Sequence, residues 1–538
     1  MSPLPPGTFT MQHNNVWQKQ RKRPSNTRKI NLETLMRRSF VKVLKEYVKE
    51  SSIGGIKEIC SPNIGWRERL LWIGVFVVMM SAMFYYLHHT WFEILTKPLV
   101  ISMESSTYPI SKINFPAVAF CNTNRISRKA LKEFSQIMHR SMALNNETIE
   151  EVELFFLQYG RLLDYSYDDI LRNHPFLDII TLKDFYSQNT SEVMQKLAPK
   201  CDEMLLRCGW GSEEVNCKTN FDVQLTVRGH CCIFNYIQED SVDDPNSANK
   251  DVKRQSVPGA LYGLRLVLDP MIDDYAYTVN NIRGFDVFLF SPGHFADFSG
   301  GKVIYRIVEP DRAEFIELSS IQQRAAAEVR KYPVRIRKCF FQDENGSSHR
   351  KTYTYNYCII NCRIKSIQSL CKCTPYFLPG KDRARTCTLE DLKCLNKYRE
   401  KLLYLYPNDA QDLRGLETEV EDSLFCPNCL PDCEPIQHYA KSYKISINTI
   451  EEHFVPFRSD MFDKINITGK ILVSIYHSAP SGTLDRLDVV SYWFEILSNI
   501  GGFCGFLLGF SLFAIVEVFY YFVVRFTIVV TNAYNVAK

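Results

Sequence analysis

Two long apolar stretches, one near each end of the chain, constrain its fold more than any other feature. The first runs from Leu70 to Leu87, 18 residues without a charge, and the second from Ile496 to Val516, 21 residues without a charge. A helix needs about 20 apolar residues to cross a bilayer. Because 69 residues precede Leu70, far more than a signal peptide has, the first stretch is expected to stay as an anchor. The alternative is a buried core helix. The sequence predicts two transmembrane helices.

The second apolar stretch is too long for one straight crossing. If Glu495 and Glu517 are included, it extends from Val489 to Val524 and would measure about 54 Å as a helix, against a hydrocarbon core of about 30 Å. It must therefore tilt steeply, project from the bilayer or break. Four glycines favour a break, namely Gly501, Gly502, Gly505 and Gly509.

Charge placement predicts the orientation of both helices. Residues 1–69 hold 14 Lys or Arg against 5 acidic residues, and the segment after Val524 holds Arg525 and Lys538 with no acid. Lys and Arg accumulate on the cytoplasmic side of membrane proteins. We therefore expect a multi-pass protein of the plasma membrane with both termini in the cytoplasm.

Cysteines and glycosylation sequons indicate that the region between the spans is extracellular. Of 18 cysteines, 16 lie between Cys121 and Cys433, and cytosolic thiols are kept reduced. The spacing Cys426-x-x-Cys429 also suits zinc, but in an oxidising compartment disulfides are the better interpretation. All N-x-Ser/Thr sequons lie in the same region, at Asn146, Asn189, Asn345 and Asn466.

These observations divide the chain into five predicted parts. They are a cytoplasmic segment (1–69), a first transmembrane helix (70–87), an extracellular cysteine-rich domain (88–488), a second transmembrane helix with the pore (489–524) and a short cytoplasmic tail (525–538).

Hydrophobic periodicity predicts that the extracellular domain is α+β. Residues 125–200 have helical spacing, shown by Ile149, Val152, Phe155, Phe156 and Tyr159. The following region alternates as strands do, shown by Val223, Leu225 and Val227, by Leu264, Leu266 and Leu268, and by Phe285, Val287 and Leu289.

Composition argues against nucleic acid as a partner and against catalysis. The formal net charge is only +4, and no HExxH, GxSxG or P-loop pattern occurs, so no enzyme chemistry, cofactor or metal site is predicted. The basic stretch Lys19–Lys29 is predicted to be a disordered arm near anionic lipid or, alternatively, only a topology signal.

Three motifs in order resemble the epithelial sodium channel and degenerin family, which includes acid-sensing and insect pickpocket channels. The first is FPAVAFCN at 115–122. The second is the cysteine block, with Cys358-x3-Cys362, Cys371-x-Cys373-x-Pro and Cys429-Leu-Pro-x-Cys433. The third is SNIGGFCGFLLGFS at 498–511. The resemblance spans nearly all of residues 51–521 and is greatest to the pickpocket branch, because of CGW at 208–210 and GHCCIFN at 229–235.

The resemblance implies eight disulfides and a particular architecture. The domain would have palm, finger, thumb and knuckle parts. The implied pairs are Cys121 with Cys231, Cys208 with Cys217, Cys339 with Cys433, Cys358 with Cys429, Cys362 with Cys426, Cys371 with Cys394 and Cys373 with Cys387, which leaves Cys201 and Cys232 for each other.

The resemblance also implies a function, as one subunit of a homo- or heterotrimeric, amiloride-sensitive channel permeable to Na⁺. Gly509, Phe510 and Ser511 would form the selectivity filter. Ser498 and the segment Gly54-Gly55 would take part in gating, although Gly54 stands where the family usually has histidine, so a contact supporting the pore could be missing.

Several residues of the second span admit two interpretations. Gly502 and Gly505 lie near Ser498 on one stripe of a helical projection and could line the pore, whereas Gly501, Gly505 and Gly509 also form a Gly-xxx-Gly packing ladder. Glu517 could attract cations at the inner mouth or simply mark the end of the helix.

Other classes of protein share parts of this pattern. A trimeric ATP-gated channel has two spans and ten extracellular cysteines but lacks FPAV at 115–118 and the glycine-rich second span. A non-conducting regulatory subunit and a membrane-anchored ectoenzyme or receptor are the remaining alternatives.

Overall fold

The computed structural model describes residues 32–62, 64–141, 148–163, 190–237, 251–279, 281–344, 352–379, 385–406, 412, 414–447 and 465–537. These residues form two compact units. The terminal unit consists of the described parts of Met1–Lys97 and Ser491–Lys538, and the central unit is Pro98–Val490. The apolar stretches therefore belong to one unit and the disulfides to the other.

The described part of the terminal unit is helical. Its α-helices are Leu32–Glu50, Ile56–Cys60, Trp66–Thr96, Trp493–Leu508, Leu512–Phe519 and Phe526–Ala537, with a π-helical segment at Tyr520–Arg525 joining the last two. Two continuous helical stretches are long and apolar enough to cross a membrane, Trp66–Thr96 and Leu512–Val536, while the apolar helix Trp493–Leu508 is shorter.

These helices differ in extent from the apolar stretches that predicted them. The first continues beyond 70–87 in both directions, and the last continues through the predicted tail to Ala537. The helix after the central unit begins only at Trp493, because residues up to Val489 are in a strand. Helix ends depend on capping and on tertiary contacts, so they need not coincide with the limits of an uncharged run.

The central unit contains fifteen described strands. They are β1 (Leu99–Pro109), β2 (Ala117–Asn122), β3 (Asn124–Ser127), β4 (Leu205–Trp210), β5 (Glu213–Val215), β6 (Phe221–Thr226), β7 (Gly229–Phe234), β8 (Leu264–Leu268), β9 (Tyr275–Thr278), β10 (Phe285–Phe290), β11 (Ile304–Val308), β12 (Arg312–Ala325), β13 (Ile436–Ser446), β14 (Ile471–His477) and β15 (Ser481–Val489).

The strands form three sheets. An eight-stranded sheet has the order β1-β15-β12-β14-β8-β4-β5, with β13 paired to β12. A five-stranded sheet has the order β11-β10-β2-β7-β6, and β3 pairs with β9. Within the first sheet, β1 and β15 are antiparallel, with Leu99 opposite Val489. The chain therefore enters and leaves the central unit on adjacent strands.

Helices complete the mixed α+β character of the central unit. Those described are Arg128–Ser141, Ile149–Leu157, Thr190–Leu197, Cys201–Met204, Cys217–Asn220, Val334–Arg337, Tyr355–Cys371, Leu392–Lys397, Arg399–Leu403 and Glu417–Glu421. The predicted helix near Ile149 is present and begins with a capping box between Thr148 and Glu151, which satisfies backbone donors at its first turn. Residues 125–127, predicted as helix, belong to β3 because they pair with β9.

The alternating residues that predicted strands lie in β6, β8 and β10, except Val227, which is in the turn after β6, and the burial of β8 shows why the pattern was clear. Leu264, Leu266 and Leu268 of β8 pack into one buried cluster, whereas Val267 packs into another on the opposite face. Strand β8 is therefore covered on both sides, as a central strand of a layered domain should be.

Eight disulfides staple the central unit. They join Cys121–Cys231, Cys201–Cys232, Cys208–Cys217, Cys339–Cys433, Cys358–Cys429, Cys362–Cys426, Cys371–Cys394 and Cys373–Cys387. Seven of these are the pairs that the family resemblance implied, and Cys201–Cys232 is the pair that remained by elimination. Cys426 and Cys429 thus bond to separate cysteines of the helix Tyr355–Cys371 rather than forming a thiolate pair for zinc. Cys60 and Cys504 are free.

The structure describes one of the four predicted glycosylation sequons and does not describe the basic stretch near the amino terminus. Asn466 is exposed, as a glycosylation site must be. The other sequon asparagines, Asn146, Asn189 and Asn345, and the basic stretch Lys19–Lys29 lie outside the described ranges.

Candidate functional site: the break in the second apolar segment

The second apolar segment is interrupted at Gly509, where the helix Trp493–Leu508 ends. Gly509 has φ 64° and ψ 19°, a left-handed conformation that glycine adopts without steric penalty. Its N–H donates to the carbonyl of Gly505 across 2.9 Å, and the N–H of Phe510 donates to the carbonyl of Cys504 across 3.2 Å. This is a glycine cap, so the break is built from local chemistry.

A new helix begins immediately after the break, at Leu512. Ser511 is its N-cap residue, in an extended conformation, and its side chain accepts a hydrogen bond from the N–H of Ala514. Serine is among the residues that satisfy the free donors at the start of a helix most effectively. Glycine and serine therefore end one helix and begin the next within three residues.

The three residues predicted to form the filter, Gly509, Phe510 and Ser511, are the residues of this break. Beyond the carbonyls of Cys504, Gly505 and Leu508, which accept hydrogen bonds from Phe510, Gly509 and Gly54, the end of the helix Trp493–Leu508 has no continuing helical turn to supply donors. Gly509 and Ser511 are exposed, and Phe510 is half-buried. Backbone carbonyls released in this way can replace part of the hydration shell of a cation.

The face of the helix before the break that carries Ser498, Gly501 and Gly502 is not covered by the part of the chain that the structure describes. A methyl group added at Gly501 or Gly502 would meet no atom within 4 Å. Ser498 is also exposed. By contrast, Phe503 stacks on Tyr86 of the first apolar helix, with ring centroids 5.4 Å apart. One face thus packs within the subunit and the small-residue face is left for other contacts.

The segment before the first apolar helix reaches the break. The N–H of Gly54 donates to the carbonyl of Leu508 across 2.9 Å, and a methyl group at Gly54 would lie 3.2 Å from that oxygen. Gly55 has φ 86°, and a methyl group there would lie 3.2 Å from the ring of Phe76. The backbone of Gly54 therefore makes a contact with the end of the helix Trp493–Leu508.

Glu517 is held by the same segment. Its carboxylate accepts hydrogen bonds from the hydroxyl of Ser52 at 2.5 Å and from the N–H of Ser52 at 3.3 Å. Helical structure continues past Glu517 to Ala537, so the interpretation that Glu517 marks the helix end is wrong. An ionised group near apolar residues needs a partner, and Ser52 supplies one.

The helix Leu32–Glu50 packs along the end of the second apolar segment, a contact that sequence reasoning missed. Glu50 accepts a hydrogen bond from the hydroxyl of Tyr521, and Glu46 pairs with Arg525 at 3.1 Å. Tyr47 contacts the ring of Tyr521 at a centroid distance of 5.6 Å. The apolar spacing of Met36, Phe40, Val43 and Tyr47 was the available signal for this helix.

A separate buried cluster in the central unit contains two histidines. The hydroxyl of Ser320 lies 2.8 Å from His438 Nδ1 and 2.8 Å from His477 Nε2, and Gln255 contacts His477. Burial lowers the pKa of His477 to about 4, and burial together with the charges of His477 and His294 lowers the pKa of His438 to about 3. Both imidazoles are therefore neutral near pH 7.

The chain matches the model of a protein family over most of its length. The model described as "ASC: Amiloride-sensitive sodium channel" matches residues 47–521. This range includes the segment around Gly54, all sixteen bridged cysteines and the break at Gly509.

Individual proteins similar to this chain carry names of the same kind. Pickpocket protein 28 of Drosophila melanogaster is 25% identical over 530 residues, covering 89% of this chain and 78% of its own length. Sodium channel protein Nach of the same organism is 23% identical, with 89% and 86% covered. Bile acid-sensitive ion channel of Mus musculus is 22% identical, with 90% and 88% covered.

Proposed function

Because this chain belongs to the amiloride-sensitive sodium channel family, we propose that it is one subunit of a trimeric, Na⁺-permeable and amiloride-sensitive channel of the plasma membrane, opened through its extracellular domain. Members of this family are ion channels rather than enzymes. The chain itself supplies two apolar helices for the membrane and a large disulfide-stapled α+β unit.

The observation that carries this proposal is the break at Gly509-Phe510-Ser511. A broken helix in a membrane leaves backbone groups unpaired, which is tolerated only where they face protein or a water-filled path. The break lies between the shorter apolar helix Trp493–Leu508 and the stretch Leu512–Val536, which is apolar enough to cross a bilayer, and it is framed by a glycine cap and a serine cap. Carbonyls at such a point can bind partly dehydrated Na⁺.

Several subunits are required to enclose the path, because one broken helix cannot surround an ion. The face with Ser498, Gly501 and Gly502 is left uncovered by the described residues and is small enough for close approach of neighbouring helices. We assign three subunits, from this chain alone or with related subunits, because members of this family are trimers. Membrane lipid covers the remaining apolar faces, and nucleic acid is not a partner.

The proposed topology places both termini in the cytoplasm and the central unit outside the cell, with the palm, finger, thumb and knuckle parts of the family. Eight disulfides require an oxidising compartment, which supports this placement. Since β1 and β15 pair beside the two exits from the central unit, a change in that unit would reach both apolar helices through adjacent strands.

Whole-cell recording tests the proposal, with expression of this chain alone and with related subunits and with Na⁺ replaced by K⁺. We expect an amiloride-sensitive Na⁺ current. Gly509→Ala and Ser511→Ala should abolish the current or admit more K⁺ while the protein stays at the surface. Gly74→Ala is the matched control, because a methyl group there meets no atom within 4 Å. Unchanged Na⁺ preference in both filter variants would place selectivity elsewhere.

Co-expression separates the conducting role from a purely regulatory one. A conducting subunit passes Na⁺ when it is expressed alone, or it transmits the selectivity change of Ser511→Ala to a channel that it forms with related subunits. A regulatory subunit changes the size of the current that its partner subunits carry. Substitutions at its own break then leave the preference of the mixed channel for Na⁺ over K⁺ unchanged.

A further inference from the structure

A cavity of about 490 Å³ lies beside the helix Tyr355–Cys371 of the central unit. One wall is formed by residues of that helix, and the facing wall is the segment Phe425–Cys429. Cavities of this size are typical of sites that bind small molecules. Lys365, Phe425 and Asn428 line the cavity and are exposed, so it opens to solvent.

Two disulfides hold the walls of this cavity together. Cys358 bonds to Cys429 and Cys362 bonds to Cys426, with Cα atoms 5.6 and 6.2 Å apart. All four cysteines line the cavity. Because Cys358 and Cys362 lie on successive turns of one helix, the facing segment is attached at two points and cannot move away. A cavity that is already formed needs little reorganisation when a ligand enters, which favours binding.

The helical wall presents polar side chains in a row. Asn361, Lys365 and Ser369 are spaced at intervals of four residues, so they lie above one another along the helix. The hydroxyl of Ser369 donates to the carbonyl of Ser366 across 2.8 Å, which leaves its oxygen as an acceptor. This wall therefore offers an amide, an ammonium group and a hydroxyl oxygen to a ligand.

The facing wall contains a second side-chain amide, at the tip of a turn. The N–H of Cys429 donates to the carbonyl of Cys426 across 3.1 Å, with Pro427 and Asn428 between them. This is the hydrogen bond of a β-turn, in which proline favours the first central position. Asn428 is exposed at the second central position and lines the cavity. The turn thus holds this amide opposite the helix.

Phe425 adds an aromatic ring to the same wall. Its exposed fraction is 58%, although it lies next to a buried cysteine. The ring of Tyr406 meets it in a T-shaped arrangement with centroids 5.1 Å apart, and the N–H of Tyr406 donates to the carbonyl of Leu424 across 3.0 Å. The ring of Phe425 is therefore held by its neighbours while much of its surface stays available.

From the aromatic ring, the two amides and the ammonium group around one rigid cavity, we propose that the cavity binds a pyranose ring that carries a carboxylate, as in a glucuronic or sialic acid residue of an extracellular glycan. The electron-rich face of Phe425 packs on the C–H groups of one face of the sugar. Asn361 and Asn428, each with two donors and an acceptor, bond to adjacent ring hydroxyls. Lys365 pairs with the carboxylate.

Other classes of ligand use less of this chemistry. A small inorganic anion pairs with Lys365 but fills a minor part of the cavity and does not contact the aromatic ring. A purely apolar ligand packs on Phe425 but makes no use of the amides. A sugar acid has an apolar face, several hydroxyls and one negative charge, which match the three kinds of group that line the cavity.

Sugar binding goes beyond the conduction proposed above, because the cavity belongs to the central unit and the proposed filter to the terminal unit. Only the access of extracellular glycans rests on the proposed topology. Binding by the purified protein depends neither on that topology nor on conduction. The test below can therefore fail while the proposed function stands, and the reverse also holds.

The test is saturation-transfer NMR on the full-length protein in lipid nanodiscs, without sugar-based detergents, which would compete. The probes are methyl β-D-glucuronide, the methyl α-glycoside of N-acetylneuraminic acid and methyl β-D-glucoside. We expect saturation transfer to at least one of the two acidic sugars, and the one that responds identifies the source of the carboxylate. For the glucuronide, transfer should be strongest to H1, H3 and H5, which share one face of the ring. No transfer to either acidic sugar, or equal affinity for the glucoside, would overturn the proposal.

Two substitutions separate recognition of the charge from recognition of the ring. Lys365→Gln should weaken binding of the acidic sugar about threefold to fivefold, as expected for loss of an exposed ion pair, and leave the weaker binding of the glucoside unchanged. Phe425→Ala should weaken the binding of acidic and neutral sugars alike, by about fivefold to tenfold. Wild-type affinity for the acidic sugar in either variant contradicts the proposal.

Matched controls exist elsewhere in the central unit. Lys393 and Tyr439 are exposed, and neither is among the described residues that line the cavity. Lys393→Gln and Tyr439→Ala should therefore retain wild-type affinity for the acidic sugar. A loss in these controls equal to that in Lys365→Gln and Phe425→Ala would place sugar binding outside the cavity and refute the assignment.

An acidic peptide is the rival ligand, since it also carries a carboxylate. N-acetylglutamate N-methylamide has the charge without the pyranose ring, and we expect no saturation transfer to it at concentrations that saturate the acidic sugar. If it binds as tightly as the acidic sugar and competes with it, the cavity recognises only a carboxylate and the proposal of a sugar site is wrong.

Discussion

The hydroxyl of Ser52 donates a hydrogen bond to the carboxylate of Glu517 across 2.5 Å, although 465 positions separate the two residues. Together with the bond from Gly54 to Leu508, it fastens the segment before the first apolar helix to both sides of the break in the second. The candidate pore is therefore not formed by the second apolar segment alone.

This relationship predicts strong coupling between Ser52 and Glu517. Ser52→Ala and Glu517→Ala should each destabilise the same contact, and the double variant should be little worse than either single one. A hydrogen bond to a charged group contributes about 1.5 to 3 kcal/mol, so a coupling energy of that order is expected from a double-mutant cycle of unfolding midpoints or open probability. If Glu517 acts only by attracting cations, the free-energy effects of Ser52→Ala and Glu517→Ala will be additive. Glu68→Ala, an exposed carboxylate, is the control.

The two glycines at positions 54 and 55 should differ in their tolerance of substitution. Gly55→Ala forces a side chain into a left-handed conformation and should destabilise the terminal unit by about 1 to 2 kcal/mol. Gly54→Ala should have a smaller effect, since only the contact with Leu508 must adjust. Gly65→Ala has an ordinary conformation and open space, and serves as the reference. Equal unfolding midpoints for the three variants would show that the segment around Gly54 and Gly55 does not pack against the rest of the terminal unit.

Ser498 should control opening if subunits meet at its helix face. Because the described residues of one chain leave Ser498 exposed, a larger side chain there is expected to clash with neighbouring subunits. Overpacking costs about 1 to 3 kcal/mol per site, so Ser498→Phe should shift the channel towards opening by about tenfold or more. The measurement is resting amiloride-sensitive current at matched surface density, with Ser498→Ala as control. If Ser498→Phe and Ser498→Ala both assemble but show no resting current, Ser498 does not lie at the closed constriction.

The buried histidine pair should make the central unit sensitive to acid. The pKa values of His477, about 4, and His438, about 3, lie below the ordinary value of 6.5. The stability that the neutral forms provide is complete above about pH 6.5 and is lost as the pH falls towards 4, by about 1.4 kcal/mol per pH unit for each histidine. Unfolding midpoints should therefore fall over this range and fall less steeply in His477→Gln. His89→Gln, an exposed histidine, should retain the wild-type slope.

Glycosylation of Asn466 should show on which side of the membrane the central unit lies. Asn466 is exposed in the central unit, so Asn466→Gln should remove one glycan, seen as a mobility shift that glycosidase treatment abolishes in the parent. Tags at both termini should be reachable only after permeabilisation. An externally reachable amino terminus would contradict the proposed orientation.

The sequence predicted the features that depend on local chemistry. Uncharged length identified two apolar helices, period-two alternation identified β6, β8 and β10, and the four glycines at 501, 502, 505 and 509 favoured a break. Each of these signals acts over a few residues. The disulfide pairs came instead from family resemblance, because spacing alone leaves many connectivities open.

The limits of the helices and the long-range contacts could not be predicted in the same way. The helix Trp66–Thr96 extends beyond its uncharged stretch at both ends. The predicted tail is helical and packs on the helix Leu32–Glu50. Helix ends are decided by caps and by what packs against them, which an uncharged run does not record.

By itself, then, the sequence determined that this protein has two apolar helices and a cysteine-rich α+β region between them, and its glycines favoured a break among three possible outcomes for the second apolar stretch. Hydrophobicity, cysteine content and glycine conformation are properties of the local chain. Only the tertiary structure decided that Ser52 holds Glu517, that Ser320 joins two histidines, and that two arginines share Asp286. These contacts join residues more than 50 positions apart. Strand register and helix packing bring them together, and both depend on the fold as a whole.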